Sequence, residues 1–190
     1  MTQDSCAPSI ILVEPQMAEN IGAVARAMAN FGLLDLRLVR PRDGWPNARA
    51  YPMAAGADGI LDRARVYGSL AAALAGITRA YAATGRDRAM NKAVLSPAEA
   101  GERITATLAQ GRGAALVFGA ERAGLSNEDV VLCDAVLTIP TVPDFYSLNL
   151  AQAVIVCAYA WFSGAERGGA TKAASMGDTR PATKEELFGL

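Results

Sequence analysis

Short apolar runs alternate with helical patterns along most of this chain of 190 residues. Two helices are predicted first. Apolar residues recur at intervals of three and four over 18–31, which predicts a helix that Gly32 ends, and the capping pattern Ser96-Pro97-Ala98-Glu99 predicts the start of a second one. Because parallel strands are joined by helical crossovers, the alternation predicts an α/β fold, a mainly parallel sheet covered by helices on both faces. The predicted strands are 9–13, 36–39, 65–67, 77–83, 115–118 and 135–139, and shorter helices are predicted at 53–61, 69–74 and 126–131.

A proline-containing stretch, 139–150, separates the last predicted strand from a long apolar helical pattern over 150–162. Pro140 and Pro143 stiffen its backbone and disfavour regular structure. Ser147 and Asn149 stand where the helix begins, and both are typical cap residues. A stiff loop between the carboxyl end of a strand and a helix N-terminus is also a common ligand site in α/β proteins, so this stretch predicts a binding site.

The composition excludes several classes of chemistry. The chain has no histidine, which removes Ser-His and Cys-His nucleophilic catalysis and the commonest metal ligand. Its three cysteines, Cys6, Cys133 and Cys157, are too widely spaced for a zinc cluster or a disulfide framework, so we expect a cytoplasmic protein without a metal. No apolar run reaches the roughly 20 residues of a membrane span, and no signal peptide is evident.

The net charge of −1 does not by itself suggest nucleic acid, but the positive charge is unevenly placed. Residues 36–92 contain ten basic and four acidic side chains. Arginines in pairs suit phosphate, which the guanidinium group binds bidentately, whereas Arg63 and Arg65 fit better as solvated residues. The two clusters predicted to contact phosphate are Arg37, Arg40 and Arg42, and Arg86, Arg88 and Lys92. The first continues into 40–53, which is predicted to be a long surface loop.

The composition changes after Phe162 to Gly, Ala, Ser, Thr and Lys, which is typical of a linker. Thr183-Lys184-Glu185-Glu186 is a further helix-start pattern close to the last residue. We therefore expect a catalytic domain at 1–163, followed at 164–190 by a linker and the start of a truncated C-terminal helical extension.

Three short polar segments, 20–26, 118–125 and 147–150, each follow a predicted strand or open a helix. In a parallel sheet such junctions meet at one edge, so these segments should lie together. Each also has a purely structural interpretation. Ser147 and Asn149 could be caps only, the glycines of 118–125 could serve a tight turn, and Glu121 could form a surface pair with Arg122.

The residue patterns of these segments resemble the sequence motifs of a known family. Asn-Ile-Gly-Ala-x-Ala-Arg-Ala-Met at 20–28, Leu-Val-Phe-Gly-x-Glu-x-x-Gly-Leu at 116–125 and Ser-Leu-Asn-Leu-Ala-x-Ala-Val at 147–154 are similar to the three motifs of the SPOUT superfamily (TrmH-like) of RNA ribose 2′-O-methyltransferases. The match is ordered and covers about 9–162. Residues 30–33 and 84–88 most resemble the branch that methylates the ribose of cytidine or uridine at position 32 of the tRNA anticodon loop.

The resemblance implies a deep trefoil knot in the C-terminal part, bound S-adenosylmethionine, and a homodimer with its active site at the interface, acting on tRNA or another structured RNA. It implies cofactor contacts, largely through backbone groups, at Ala83, Thr84, Gly85, Gly119, Ile139, Tyr146, Ser147 and Leu148. The matching catalytic positions are Asn20, Arg26, Glu121, Ser147 and Asn149, and the expected RNA contacts are Arg86 and Arg88, together with Arg40 and Arg42 of the basic cluster. Gly85 and the pair Phe145-Tyr146 depart from the pattern of the branch.

Three alternatives remain open. The chain could methylate another tRNA position or ribosomal RNA, which the accepting RNA would reveal. It could be an inactive RNA-binding relative, although retention of all five catalytic positions speaks against that. It could also be a doubly wound nucleotide-binding enzyme, but no Gly-x-Gly-x-x-Gly follows the first strand.

Overall fold

The structure, a computed structural model, describes residues 7–85 and 92–167. Its strands are β1 (Ser9–Val13), β2 (Leu36–Val39), β3 (Arg65–Tyr67), β4 (Ile77–Ala83), β5 (Val94–Leu95), β6 (Gly113–Phe118) and β7 (Ala135–Leu137). Its helices are α1 (Ala18–Ala29), α2 (Tyr51–Ala54), α3 (Asp58–Asp62), α4 (Leu70–Ala73), α5 (Pro97–Ala109), α6 (Asn127–Val131) and α7 (Leu150–Arg167). No helix of the described residues is long and apolar enough to cross a membrane.

The strands form one sheet in the order β3-β2-β1-β6-β4-β7-β5, and every pairing in it is parallel. Ile10 of β1, for example, lies between Leu36 of β2 and Leu116 of β6. The predicted parallel sheet is thus confirmed. Because the strands all run the same way, the loops that follow β4, β6 and β7 leave the sheet at the same edge.

Helices cover both faces of the sheet, as predicted. Ile10 and Leu12 belong to a large core shared with α1, α5 and α7, whereas Ile11 and Val13 belong to a smaller core on the opposite face, with residues of α4 and α6. Successive side chains of a strand point to opposite faces, so burial on both sides explains why the strands are continuous apolar runs.

The helix-start signals are realised at the residues that carry them. The Ser96 hydroxyl accepts a hydrogen bond from the Glu99 N–H, and the Glu99 carboxylate accepts one from the Ser96 N–H, which completes a capping box. Ser126 and Asp129 form a second capping box at α6, whereas at α4 the Ser69 hydroxyl alone accepts a hydrogen bond, from the Ala72 N–H. Gly32 has a φ of +68°, the left-handed conformation that ends α1.

Several element boundaries differ from the prediction. The predicted helix 53–61 is two helices, α2 and α3, because Ala55 and Gly56 adopt φ values of 46° and 94° between them. The predicted loop 40–53 holds a 3-10 turn, Ala48–Ala50, and most of α2. The proline stretch likewise contains a 3-10 turn, Pro143–Phe145. The sequence does not predict β5, because a strand of two residues is too short to show an alternation of apolar and polar side chains. α7 continues beyond the predicted end at 162 to Arg167.

Two basic residues predicted to contact phosphate form hydrogen bonds within the protein. Arg37 is only 4% exposed, since it lies on the inner strand β2, and it donates to Asp35 and to the carbonyls of Ala73 and Ala75. Lys92 donates to the carbonyl oxygens of Val131 and Cys133 at the end of α6. The burial of Arg37 contradicts the phosphate-contact prediction for that side chain, whereas for Lys92, whose ammonium group donates to two carbonyl oxygens, it stays a prediction.

Asp35 holds a small polar cluster at the start of β2. It accepts hydrogen bonds from Ser9, Arg37 and Arg65, so Arg65 is not the free solvated residue that the sequence suggested. Burial alone would raise the pKa of Asp35, but these three hydrogen bonds outweigh it and hold that pKa below its ordinary value of 3.8. The cluster satisfies a buried guanidinium group at the edge of the core.

Gly22 sets how closely α1 approaches the turn before α2. A Cβ atom on Gly22 would lie 1.9 Å from the carbonyl oxygen of Ala50, so no side chain fits without moving backbone. We expect Gly22→Ala to lower the free energy of unfolding by about 3 kcal/mol, because relieving the overlap must separate packed elements. Urea unfolding monitored by circular dichroism would measure the change.

The matched control is Gly164→Ala in α7, where a Cβ atom would meet nothing within 4 Å. Alanine is the better helix former, so this variant should be as stable as the parent or up to about 1 kcal/mol more stable. Equal stability of the two variants would contradict the packing role given to Gly22.

A candidate active-site cleft

An open cleft of about 860 Å³ lies where the loops after β4, β6 and β7 meet the start of α7. All eight residues that match the cofactor positions of the resembling family line it: Ala83, Thr84, Gly85, Gly119, Ile139, Tyr146, Ser147 and Leu148. The sheet order explains the gathering, since β4 lies between β6 and β7 and all three end at the same edge. Residues far apart in the chain thereby become walls of one site.

The loop after β6 is a tight turn that two glycines make possible. A Cβ atom on Gly119 would lie 2.3 Å from the backbone of Gly124 and Leu125, and Gly124 has a φ of +66°. The Gly124 N–H donates to the Ala120 carbonyl over 2.8 Å and closes the turn. The structural interpretation of these glycines is therefore correct, and the turn they allow forms one wall of the cleft.

The loops after β4 and β7 are joined directly. The Thr84 N–H donates to the Leu137 carbonyl over 3.0 Å, and the Thr138 hydroxyl donates to the Thr84 carbonyl over 3.2 Å. These bonds extend the pairing of the two strands past their ends. The cleft therefore has a hydrogen-bonded base from which the two loops diverge.

Glu121 connects the cleft to the N-terminus of α1. Its carboxylate accepts hydrogen bonds from the Gln16 N–H at 2.8 Å, from the Met17 N–H at 3.4 Å and from Asn20 Nδ2 at 2.9 Å. α1 has no side-chain cap of its own at Met17, so Glu121 supplies an acceptor for donors that the helix leaves unpaired. Glu121 is thus not merely a surface partner of Arg122.

Asn149 extends this connection to α7. Its Nδ2 donates to Asn20 Oδ1 over 3.2 Å, and its Oδ1 accepts from the Ala151 N–H over 2.9 Å. Asn149 therefore caps α7 and also holds Asn20, which in turn holds Glu121. One polar residue from each of the three predicted segments is joined in a continuous chain, so the expected gathering of those segments is realised.

The remaining predicted catalytic residues are placed differently. Ser147 is exposed in the cleft, and its hydroxyl makes no hydrogen bond to a described residue. Arg26 lies in the last turn of α1, exposed and without an ion pair or side-chain hydrogen bond within 7–85 and 92–167. Arg26 does not line the cleft, and neither do Asn20 and Asn149, whose amides face each other.

The predicted RNA-binding arginines that the structure describes are paired with acids. Arg40 donates twice to Glu14 and once to the carbonyl of Gly68, and Arg42 donates to Asp43. Both remain exposed at the carboxyl edge of the sheet. Arg86 and Arg88 lie outside the described residues, as does Cys6.

Cysteine chemistry has no support at the cleft. Burial raises the pKa of Cys133 and of Cys157 to about 12, so both thiols stay protonated near neutral pH, and neither lines the cleft. Across the part of the chain that the structure covers, no three His, Cys, Asp or Glu side chains gather as a metal site.

Several cleft residues were given no site role from the sequence. Phe118, Arg122, Leu137, Leu150 and Ala153 also line it. Ala153 follows Leu150 by three residues in α7, so the helical period alone would have placed both on the same face. For the others, only the sheet order reveals the contact.

The role of Glu121 as an acceptor can be tested by Glu121→Gln. Both carboxylate oxygens accept hydrogen bonds, and an amide can offer only one oxygen, so at least one donor loses its partner. We expect a loss of about 1–3 kcal/mol in unfolding free energy. Glu102→Gln, on an exposed position of α5, should change it by less than about 0.5 kcal/mol, and equal effects would contradict the assignment.

Comparison with known proteins agrees with this geometry. Residues 7–159 match the SpoU rRNA Methylase family. The tRNA (cytidine/uridine/adenosine-2′-O-)-methyltransferase TrmJ of Pseudomonas aeruginosa is 40% identical over 187 residues, which are 94% of this chain and 72% of that protein. The tRNA (cytidine/uridine-2′-O-)-methyltransferase TrmJ of Photorhabdus laumondii is 41% identical over 150 residues, 79% of this chain and 61% of that protein.

A crystal structure of TrmJ from Z. mobilis superposes with a TM-score of 0.80 at 52% identity, covering 83% of this chain and 69% of that one. The chain thus spans about two thirds of the length of the relatives it matches. The family match includes all three polar segments and every described residue of the cleft. The chain therefore belongs to the SpoU rRNA methylase family, a family of methyltransferases.

Proposed function

We propose that this chain transfers the methyl group of S-adenosylmethionine to a ribose 2′-hydroxyl of tRNA, at nucleotide 32 of the anticodon loop. The observation that carries the proposal is the gathering of all eight residues at the cofactor-matching positions in one cleft. tRNA is the substrate named for both curated relatives. Nucleotide 32 rests on the resemblance of 30–33 and 84–88 to one branch of the family.

The cleft has the properties that such a cofactor requires. Leu137, Ile139 and Leu150 supply apolar surface, while the surrounding loops offer backbone groups for hydrogen bonds. We further propose that the loops after β6 and β7 belong to a trefoil knot, in which the C-terminal part of the chain threads through an earlier loop.

When bound, S-adenosylmethionine supplies a methyl group on a sulfonium centre that is ready for in-line displacement. The protein must then hold the ribose oxygen in line and stabilise the negative charge that develops on it. As the new C–O bond forms and the C–S bond breaks, the hydroxyl proton must leave. We assign Ser147 and Asn149 to shaping the loop around the methionine end, and Glu121 to organising the adjoining loop.

Arg26 is the residue to which we assign the RNA phosphate and the developing alkoxide. It is exposed and has no acidic partner among the described residues, unlike Arg40 and Arg42. A guanidinium group does not lose its proton in proteins, so Arg26 acts as a donor, and the hydroxyl proton passes to phosphate or water. An unpaired bidentate donor can bind the phosphate and can also stabilise the developing alkoxide.

We also propose a homodimer with the active site at its interface. Arg26 does not line the cleft of its own chain, which fits a site completed by a second protomer. α7 carries an exposed apolar face of Ile155, Val156 and Tyr159 in addition to its buried one. Soluble proteins seldom leave such a face uncovered, and burial against a second copy would account for it.

Filling the cleft should weaken cofactor binding. Ala153→Phe places a ring in the cleft from α7, and we expect it to weaken binding of S-adenosylhomocysteine by at least about tenfold in calorimetric titration, because the ring occupies the ligand volume. Gly119 is unsuitable for such a test, because its Cβ would strike backbone.

Ala165→Phe is the matched control, since it is the same substitution at an exposed position of α7 that lies outside the cleft and off the apolar face of Ile155, Val156 and Tyr159. It should leave the affinity unchanged within threefold. If the parent chain bound neither S-adenosylmethionine nor its demethylated product, the proposal would fail. Binding of tRNA alone would then favour the inactive RNA-binding alternative.

The assignment of Arg26 predicts a loss of turnover in Arg26→Lys. The substitution keeps the positive charge but removes the bidentate fork, so we expect kcat to fall by roughly a hundredfold, with unchanged cofactor affinity and stability. Methylation of tRNA with radiolabelled S-adenosylmethionine would measure it. Near-normal turnover would show that Arg26 only supplies charge.

A mixing experiment tests the shared active site. If each site combines the cleft of one protomer with Arg26 of the other, Arg26→Lys and Ala153→Phe chains, each strongly impaired alone at a subsaturating concentration of S-adenosylmethionine, should regain activity when refolded together. We expect about a quarter of the parent activity, since half of the dimers are mixed and one of their two sites is intact. No recovery in verified mixed dimers would place both residues in the same subunit's site.

A further inference from the structure

Gly85 and Tyr146, at the two places where the chain departs from the pattern of the resembling branch, are in contact at the cleft. A Cβ atom on Gly85 would lie 3.0 Å from the Tyr146 carbonyl oxygen and 3.4 Å from its ring atom Cδ2. Gly85 does not adopt a left-handed φ. The glycine is therefore needed for space, and the space it leaves is taken by Tyr146.

The ring of Tyr146 is available to a ligand. Tyr146 lines the cleft and is 50% exposed. Its hydroxyl has no hydrogen bond and its ring has no aromatic partner among the residues that the structure describes. An aromatic ring held from behind by backbone, with an open side toward a ligand cleft, has the properties of a stacking surface.

We infer that Tyr146, seated on Gly85, is the surface against which the base of the methylated nucleotide stacks. This inference rests on the proposed function, since the ribose oxygen must enter the cleft to reach the methyl group. The base is attached to the same ribose, so it must lie at the mouth of the cleft. Unstacked bases of single-stranded RNA are bound by aromatic side chains in this way, and every base has a face to stack.

Phe145 is the other candidate ring, but the geometry favours Tyr146. Phe145 is 79% exposed and does not line the cleft, so no contact fixes its ring there. Tyr146 is placed by the close approach of Gly85. A preorganised ring loses little freedom when a base stacks on it, which makes Tyr146 the positioning residue for the substrate.

The test compares Tyr146→Ser with Tyr146→Phe in tRNA methylation by the full chain at saturating S-adenosylmethionine. Loss of a stacked ring should raise KM for tRNA by roughly ten- to a hundredfold. Stacking acts alike on bound substrate and transition state, so kcat should stay within threefold. Tyr146→Phe retains the ring and should behave as the parent. Calorimetry should measure the S-adenosylhomocysteine affinity of both variants, because Tyr146 is also one of the proposed cofactor contacts; in Tyr146→Ser the rise in KM for tRNA should exceed any loss of that affinity.

Gly85→Ala gives an independent measurement. Its methyl group must push Tyr146 by a few tenths of an ångström, so KM for tRNA should rise in the same direction as in Tyr146→Ser, but less. In the double variant Gly85→Ala/Tyr146→Ser the ring is already absent, and KM should be no higher than in Tyr146→Ser alone. A rise in KM equal to the product of the two single fold-changes would show that the two residues act separately.

The possible failures are distinguishable. If the parent chain methylates tRNA but Tyr146→Ser leaves KM unchanged, only the stacking role is overturned. If Tyr146→Ser weakens S-adenosylhomocysteine binding by the same factor as it raises KM, the ring is a wall for the cofactor, and the inference is again wrong. A parent chain that neither binds the cofactor nor methylates tRNA would overturn the proposed function itself.

Discussion

The carboxylate of Glu121 is the point on which the arrangement of the cleft depends. It belongs to the turn after β6 that walls the cleft, yet its hydrogen bonds go to the N-terminus of α1 and to Asn20. A negative group there also complements the positive end of the helix dipole. The three hydrogen bonds of the Glu121 carboxylate thus join the turn after β6 to the helix that carries Arg26. The hydrogen bond from Asn149 to Asn20 brings α7 into the same network.

The charges around this network explain how a chain of net charge −1 can suit a polyanion. Arg37 and Arg65 are engaged with Asp35, Arg40 with Glu14 and Arg42 with Asp43, so much of the positive charge of the basic segment is locally neutralised. Exposed pairs of this kind contribute little stability, but they lower non-specific attraction to phosphate. Arg26, unpaired within the described residues, is the side chain to which we assign the RNA phosphate.

The sequence predicts those parts of the fold that depend on local period and on caps. Ser96, Ser69 and Ser126 begin helices where their side chains require it, and the apolar runs became strands. The predictions that fail concern residues whose burial or backbone conformation is determined by tertiary contacts. Arg37 is buried because it lies on an inner strand. The helix predicted at 53–61 is interrupted at Ala55 by a positive φ, which an alanine side chain gives no reason to expect. The eight cofactor positions were identified by resemblance, whereas the place of Leu137 in the cleft and the Gly85–Tyr146 contact required the sheet order and the spacing of backbones.

The bond between Asn20 and Asn149 joins residues that are 129 positions apart, and this separation has a consequence for biosynthesis. Asn20 leaves the ribosome on the order of ten seconds before Asn149 at ordinary rates of translation. During that interval β1, α1 and β2 can associate locally, but the N-terminus of α1 lacks Glu121 and the cleft has only part of its walls. The ligand-binding edge is therefore completed only after β1, α1 and β2, and a nascent chain cannot bind its ligand before α7 has been synthesised.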